Sequence, residues 1–214
     1  MKQCQSFPIR FWVNLTPRLE DLSLNGIPFP SLPDLLLSAT HLITLGLEII
    51  PHSGFISPEA IVTALSTLTS LEELCVRFES RLSRPDWGRR HLPPSTRAVL
   101  PAFADFWFKG ASEYLEVVVA RIDTPRLNKL NIIFNEIVFD TPQFIQFISR
   151  TPTLKALEKA RVTFEDDAAT ANLSLQISGK DEELEVRIPC RKLDWQISSV
   201  EQVCTSCLPP LPTL

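Results

Sequence analysis

The stretch Thr16-Pro17-Arg18-Leu19-Glu20-Asp21-Leu22 returns as Thr124-Pro125-Arg126-Leu127-Asn128-Lys129-Leu130 and again as Thr151-Pro152-Thr153-Leu154-Lys155-Ala156-Leu157. Looser copies start at Thr40 (Leu42, Leu45, Leu47), Thr69 (Leu71, Leu74, Val76) and Pro101 (Phe103, Phe106, Phe108). A last fragment runs from Pro209 through Leu211 to Leu214. With the residue two before the first apolar position as marker, the copies stand at 17, 40, 69, 101, 125, 152 and 209, in steps of 23, 29, 32, 24, 27 and 57. The last step is about two repeats long. Repetition constrains strongly, because a unit this short cannot bury its own apolar face and is stable only when stacked on neighbours of its own kind.

Each complete unit ends in residues that alternate in polarity, such as Leu22-Ser23-Leu24 or Leu45-Gly46-Leu47, and that period of two predicts a short strand with its leucines turned inward. A helix start follows several of them. Ser57-Pro58-Glu59 precedes Ile61, Val62, Leu65 and Leu68, and Thr141-Pro142 precedes Phe144, Ile145, Phe147 and Ile148. Ser or Thr at a cap with Pro at the first helical position is a specific signal, since the first turn has no acceptor for an N–H there. Ser112 before Tyr114 and Ser199 before Val200 read the same way.

Strands joined by helices at this spacing must be parallel, with the strands on one face and the helices on the other. The expected fold is therefore an irregular leucine-rich-repeat-like α/β solenoid, strands concave and helices convex, built from residues 1–214 as one domain whose C-terminus is cut within a repeat. A doubly wound sheet shares the alternation but needs no repeated leucine phase. Among the 6 glycines none forms a phosphate-binding G-x-G-x-x-G or G-x-x-x-x-G-K-[ST] loop.

Two segments break the rhythm. Residues 80–101, with Arg81, Arg84, Arg89, Arg90, Arg97 and several prolines, read as a long exposed loop. Residues 161–195 read as an irregular insertion. Within it Leu173, Leu175, Ile177 and Leu184, Val186, Ile188 bracket Ser178-Gly179-Lys180-Asp181, an antiparallel hairpin near 171–189 standing in for a degenerate repeat.

Chemistry is sparse. The histidines are His41, His52 and His91, none in a catalytic motif, and Cys204-x-x-Cys207 lacks a second ligand pair and sits at helical spacing beside Val203. Adjacent acids such as Glu72-Glu73, Asp166-Asp167 and Glu182-Glu183 point to different sides and do not converge. No catalytic residue, metal site or cofactor is expected, although an enzyme with a pocket between insertion and repeats, or a truncated gene product, is the alternative. A net charge of -4 gives no general attraction to nucleic acid or anionic membranes. Met1 to Asn14 lacks a secretory core, and no apolar run reaches the roughly 20 residues that span a bilayer. An odd number of cysteines, 5, in a chain with a core of its own suits reduced thiols in cytoplasm or nucleus.

What remains is a binding surface for an unidentified protein partner. The residues flanking the second leucine of each repeat face away from the core. They are Asp21 and Ser23, Thr44 and Gly46, Glu73 and Cys75, Asp105 and Trp107, Lys129 and Asn131. Of these, Glu73, Asp105, Trp107, Lys129 and Asn131 are the expected partner contacts, with Arg89 and Arg90 of the loop beside them. The Arg loop lacks the aromatic interleaving of a nucleic-acid site apart from Trp87.

The phrases Leu22-Ser23-Leu24-Asn25-Gly26-Ile27-Pro28-Phe29-Pro30, Leu36-Leu37-Ser38-Ala39-Thr40, Ile50-Pro51-His52-Ser53-Gly54-Phe55-Ile56-Ser57-Pro58-Glu59-Ala60 and Phe139-Asp140-Thr141-Pro142-Gln143-Phe144 resemble the C-terminal region of F-box-like proteins of mushroom-forming fungi, over nearly the whole chain. The resemblance implies a leucine-rich-repeat-like region that recruits targets to a cullin-RING ubiquitin ligase. The F-box of that family, with its Leu-Pro-x-Glu-type opening, has no counterpart here. The asparagine that usually fills the ninth repeat position is also missing from Ile27, Ile50, Glu79 and Ala111, and only Asn135 fits. The chain alone should therefore not bind the ligase adaptor. Mixing purified chain with adaptor and measuring the complex by size exclusion checks this, and stoichiometric co-elution would contradict it.

Overall fold

The repeat phase of the leucines becomes stacking in space. The structure is a computed structural model and describes residues 18–28, 32–79, 97–135, 141–155, 158–167, 170–189 and 201. Along the chain run β1 (Asp21–Asn25), α1 (Leu32–Ser38), β2 (Thr44–Ile50), α2 (Pro58–Leu65), β3 (Glu73–Phe78), β4 (Ala98–Val99), β5 (Asp105–Gly110), α3 (Ser112–Val119), β6 (Ile122–Asp123), β7 (Lys129–Phe134), α4 (Pro142–Arg150), β8 (Lys159–Asp167), β9 (Thr170–Ser178) and β10 (Glu183–Pro189). One eight-stranded sheet has the order β1-β2-β3-β5-β7-β10-β9-β8. It is parallel from β1 to β10 and antiparallel beyond, while β4 and β6 pair as a separate parallel ribbon. The fold is thus mixed α/β with a large, mostly parallel sheet that does not close into a barrel.

In-register pairing aligns Leu22, Leu45, Leu74, Phe106, Leu130 and Leu184 in one inward row and Leu24, Leu47, Val76, Phe108, Ile132 and Val186 in the next. In five copies the first apolar position, Leu42, Leu71, Phe103, Leu127 and Leu154, is fully buried beneath them, and Leu19 of the first copy is partly buried. The helices contact one another in chain order, α1 on α2, α2 on α3 and α3 on α4. Their apolar faces, among them Leu36, Ile61, Leu65, Leu115 and Phe147, join the same core. Phe78, Phe108 and Tyr114 cluster at its centre with ring centroids 4.9 to 6.4 Å apart. Gly110 is required beside them, because a Cβ there would meet the Phe108 and Phe78 rings at 2.7 and 2.8 Å.

Backbone rather than side-chain amides ties successive strands at their N-terminal ends. The Glu20 carbonyl accepts from both Ile43 and Thr44 N–H (2.7 and 2.9 Å), the Ile43 carbonyl from Glu72 and Glu73, the Glu72 carbonyl from Ala104 and Asp105, and the Ala104 carbonyl from Asn128 and Lys129. At the opposite ends, where the ninth repeat position falls, backbone bonds again join neighbours: Gly26 N–H donates to the Glu48 carbonyl, Glu79 N–H to that of Ile50 and Asn135 N–H to that of Gly110, at 2.9, 3.1 and 2.9 Å.

Helix starts followed the sequence signals unevenly. Ser57 caps α2 as expected, accepting from the Ala60 N–H at 3.1 Å. Thr141 does not cap α4: its ψ of 53° is far from the extended geometry of a cap, and its hydroxyl is buried without a partner. Glu116 of α3 takes over, accepting from the Gln143 and Phe144 N–H groups at 2.9 and 2.8 Å and adding negative charge at the positive end of the helix dipole. Ser112 lies inside the first turn of α3, and Ala111 occupies the cap. Ser199 lies outside the described residues.

Two further expectations are corrected, and the hairpin, which forms as expected, gains a third strand. The end of the expected loop is not open, because Ala98–Val99 pairs with β6, Leu100 is buried, and the Arg97 guanidinium donates from Nε to the Ala120 carbonyl at 3.1 Å. Residues 80–96 lie outside the described residues. The hairpin forms as β9 and β10, but it is part of a three-stranded meander that begins at β8, ahead of the insertion boundary at 161. The copy at Thr151 keeps its turn, with Leu154 buried and the Thr153 hydroxyl donating to the Leu127 carbonyl, yet its strand does not join β7. In that copy the third inward position is Lys159. Burying an unpaired ammonium there would cost several kcal/mol, so β10, with Leu184, Val186 and Ile188, lies beside β7 instead.

Leu45→Ala or Leu130→Ala is expected to lower stability by about 2 to 5 kcal/mol, since both side chains are buried in a row whose neighbours cannot refill the space. Urea unfolding of each variant checks this. A midpoint equal to the parent's would contradict the register.

Candidate functional site

The strand residues that alternate with the core rows form three rows on the opposite, open face of the sheet. The first holds Asp21, Thr44, Glu73, Asp105, Lys129 and Glu183, and the second holds Ser23, Gly46, Cys75, Trp107, Asn131 and Glu185. The third comprises Asn25, Glu48, Arg77, Lys109, Ile133 and Arg187, with β2 bulged between Leu47 and Ile50. At the bulge Ile49 takes a φ of 51°, strained for a β-branched residue.

Five of the expected contact residues are thus brought together: Glu73, Asp105 and Lys129 adjacent in the first row, Trp107 and Asn131 adjacent in the second. Arg89 and Arg90 lie outside the described residues. Trp107 is 48 % exposed, whereas its chain neighbours Phe106 and Phe108 are 1 % and 3 % exposed. A large ring is held out by a strand that is pinned to the core on both sides of it.

The rows on either side of Trp107 carry ion pairs. Lys129 Nζ reaches Asp105 Oδ2 at 3.4 Å, and Arg77 Nη1 reaches Glu48 Oε2 at 3.1 Å. Glu185 is buried, and its carboxylate accepts from the Arg187 Nε–H at 2.7 Å and from the Asn131 amide. These pairs fix the rows around Trp107 more than they stabilise the fold, because exposed ion pairs contribute roughly 0 to 1 kcal/mol each. Arg77, Lys109 and Glu48 were legible from the alternation, two residues beyond the positions singled out. Glu183, Glu185 and Arg187 were not, because nothing local says that the hairpin docks parallel to β7.

Among the described residues little else gathers reactive groups. Among the described residues no three His, Cys, Asp or Glu side chains are placed to hold a metal ion. His41 and His52 are exposed, His52 in a 3-10 turn spanning His52–Gly54, and His91, Cys204 and Cys207 lie outside the described residues. A small depression at the C-terminal ends of β1 and β2 is lined by Leu24, Ile27, Leu32, Leu47, Glu48, Ile50, Gly54 and Ile56, with Glu48 its one titratable group among the described residues. No helix among the described residues is long and apolar enough to cross a membrane.

No family model matches the chain, and none of the curated proteins or solved structures compared with it does. The geometry of the open face is what bears on function.

Cys75, next to Trp107 in its row, has its thiol pushed up from 9.0 to about 11, first by burial, then by the Glu48 carboxylate, with Arg77 opposing. A raised pKa keeps the thiol protonated and unreactive until the pH approaches that value. Alkylation of Cys75 by iodoacetamide near pH 8, followed by peptide mass spectrometry, should be roughly tenfold or more slower in the folded chain than in urea, and in the folded chain should keep rising until the pH nears about 11. Equal rates in both states would contradict the burial.

Proposed function

We propose that this chain is a non-catalytic protein-binding scaffold: an irregular leucine-rich-repeat-like solenoid whose open strand face recruits a protein partner. In this reading it acts like the target-recruiting region of the fungal F-box proteins it resembles, working in the cytoplasm or nucleus. The observation that carries the reading is Trp107, half exposed in the middle of a broad, polar, in-register strand face. A rigid aromatic with two torsions contributes contact area at small entropic cost, and such residues dominate binding energy at protein interfaces. The leucine phase, repeated from Leu42 to Leu154, supports the solenoid part of the proposal. The surface has the breadth of a docking face rather than the depth of a small-molecule cleft.

Affinity purification of the tagged full chain with mass spectrometry supplies partners, which are then titrated against the chain and its Trp107→Ala variant. The variant should bind about 2 kcal/mol more weakly or worse while its melting temperature stays near the parent's, because Phe106 and Phe108 still hold the strand. Unaltered affinity with lowered stability would show Trp107 to be a packing residue, and the proposed site would fall.

A further inference from the structure

The open face is electrically polarised along its strands, from an acidic first row to a basic third row. In the first row four carboxylates, Asp21, Glu73, Asp105 and Glu183, stand with one ammonium, Lys129, which is already paired with Asp105. Asp21, Glu73 and Glu183 are exposed and have no ion-pair partner among the described residues. The third row holds Arg77, Lys109 and Arg187 against the single carboxylate of Glu48. Arg77 and Arg187 are paired with Glu48 and Glu185, which leaves Lys109 as the cation without an ion-pair partner there among the described residues. Between these rows runs the Trp107 row, floored by Ser23, Gly46 and Cys75 on one side of the ring. Past β10 the polarity ends, because β8 contributes the exposed Lys159 and Arg161.

The dimensions select the shape of an occupant. The first and third rows are four residues apart along each strand, about 13 Å, and a helix with its side chains is about 10 to 12 Å wide. The six parallel strands span about 24 Å across, which a helix of roughly 16 residues covers. An extended segment gains nothing on this face, since the strands' N–H and C=O groups are spent in the sheet, whereas a helix satisfies its own backbone.

We propose that the partner of this face is an amphipathic helix lying across the strands along the Trp107 row. Its apolar stripe meets the Trp107 ring. One flank is rich in Lys and Arg over Asp21, Glu73 and Glu183, and the other carries an acidic side chain over Lys109. This rests on the open face being the binding surface. The exposed pairs steer and orient the helix, while the ring supplies most of the affinity.

A phage-displayed library of single-helix peptides of about 18 residues, with one face randomised, tests this against the full chain, its Trp107→Ala variant and its Glu73→Lys/Glu183→Lys variant. The expected winners depend on Trp107 and carry basic residues segregated on one flank. Resynthesised, they bind the double variant at least about tenfold more weakly, and that gap narrows as salt is raised. Winners that depend on Trp107 but show no segregated charge, or bind the double variant equally well, would overturn the inference and leave the binding face standing. Recovery of no Trp107-dependent peptide would overturn both.

Discussion

Every strand of the parallel sheet is placed by one constraint: its inward residues must stack on those of the strand beside it. Leu45 packs between Leu22 and Leu74, Phe106 between Leu74 and Leu130, and Leu130 between Phe106 and Leu184. A one-residue slip of any strand would turn its leucines outward and its charges into the core, so the register is held tightly. The doubly accepting carbonyls of Glu20, Ile43, Glu72 and Ala104 set the height at which each strand starts. The open face inherits its order from this. Its rows are regular only because the rows beneath them are.

The helix layer obeys the same logic with different chemistry. Where a cap is poorly placed, as at Thr141, the preceding helix supplies a carboxylate from Glu116, so consecutive repeats are tied through backbone donors on this side as well. Arg150 adds a second tie. Its guanidinium donates to Asp123 at 2.9 Å and to the carbonyls of Ile122 and Val119, and it lies 5.2 Å from the Phe147 ring centroid. Helix α4 is thereby fastened to the β4–β6 ribbon as well as to the core.

Much of this was legible in the chain because a repeat advertises its own phase. Counting from Leu19, Leu42, Leu71, Phe103 and Leu127 places five strands, and alternation then assigns Asp105 and Trp107 or Lys129 and Asn131 to the outer face. Long-range choices were not legible. Thr151 to Leu157 is a near-copy of the first repeat, but whether its strand or a later one lies beside β7 depends on Lys159 competing against Leu184, Val186 and Ile188, a contest between segments about 25 residues apart. The Glu185–Arg187–Asn131 cluster followed from that outcome and was invisible beforehand. Ala98–Val99 is only two residues long and has no periodicity to read.

Alternate rows of side chains face the core and the open surface, and β10 rather than β8 completes the parallel sheet. Hydroxyl-radical footprinting of the free chain, read by peptide mass spectrometry, tests both halves at once. Strong oxidation is expected at Trp107 and at Val162 and Phe164 on β8, which are 48 %, 50 % and 45 % exposed, with protection of Phe106, Phe108, Leu184 and Val186. Protection of Trp107 equal to that of Phe106, or oxidation of Leu184 and Val186 equal to that of Val162, would contradict this arrangement.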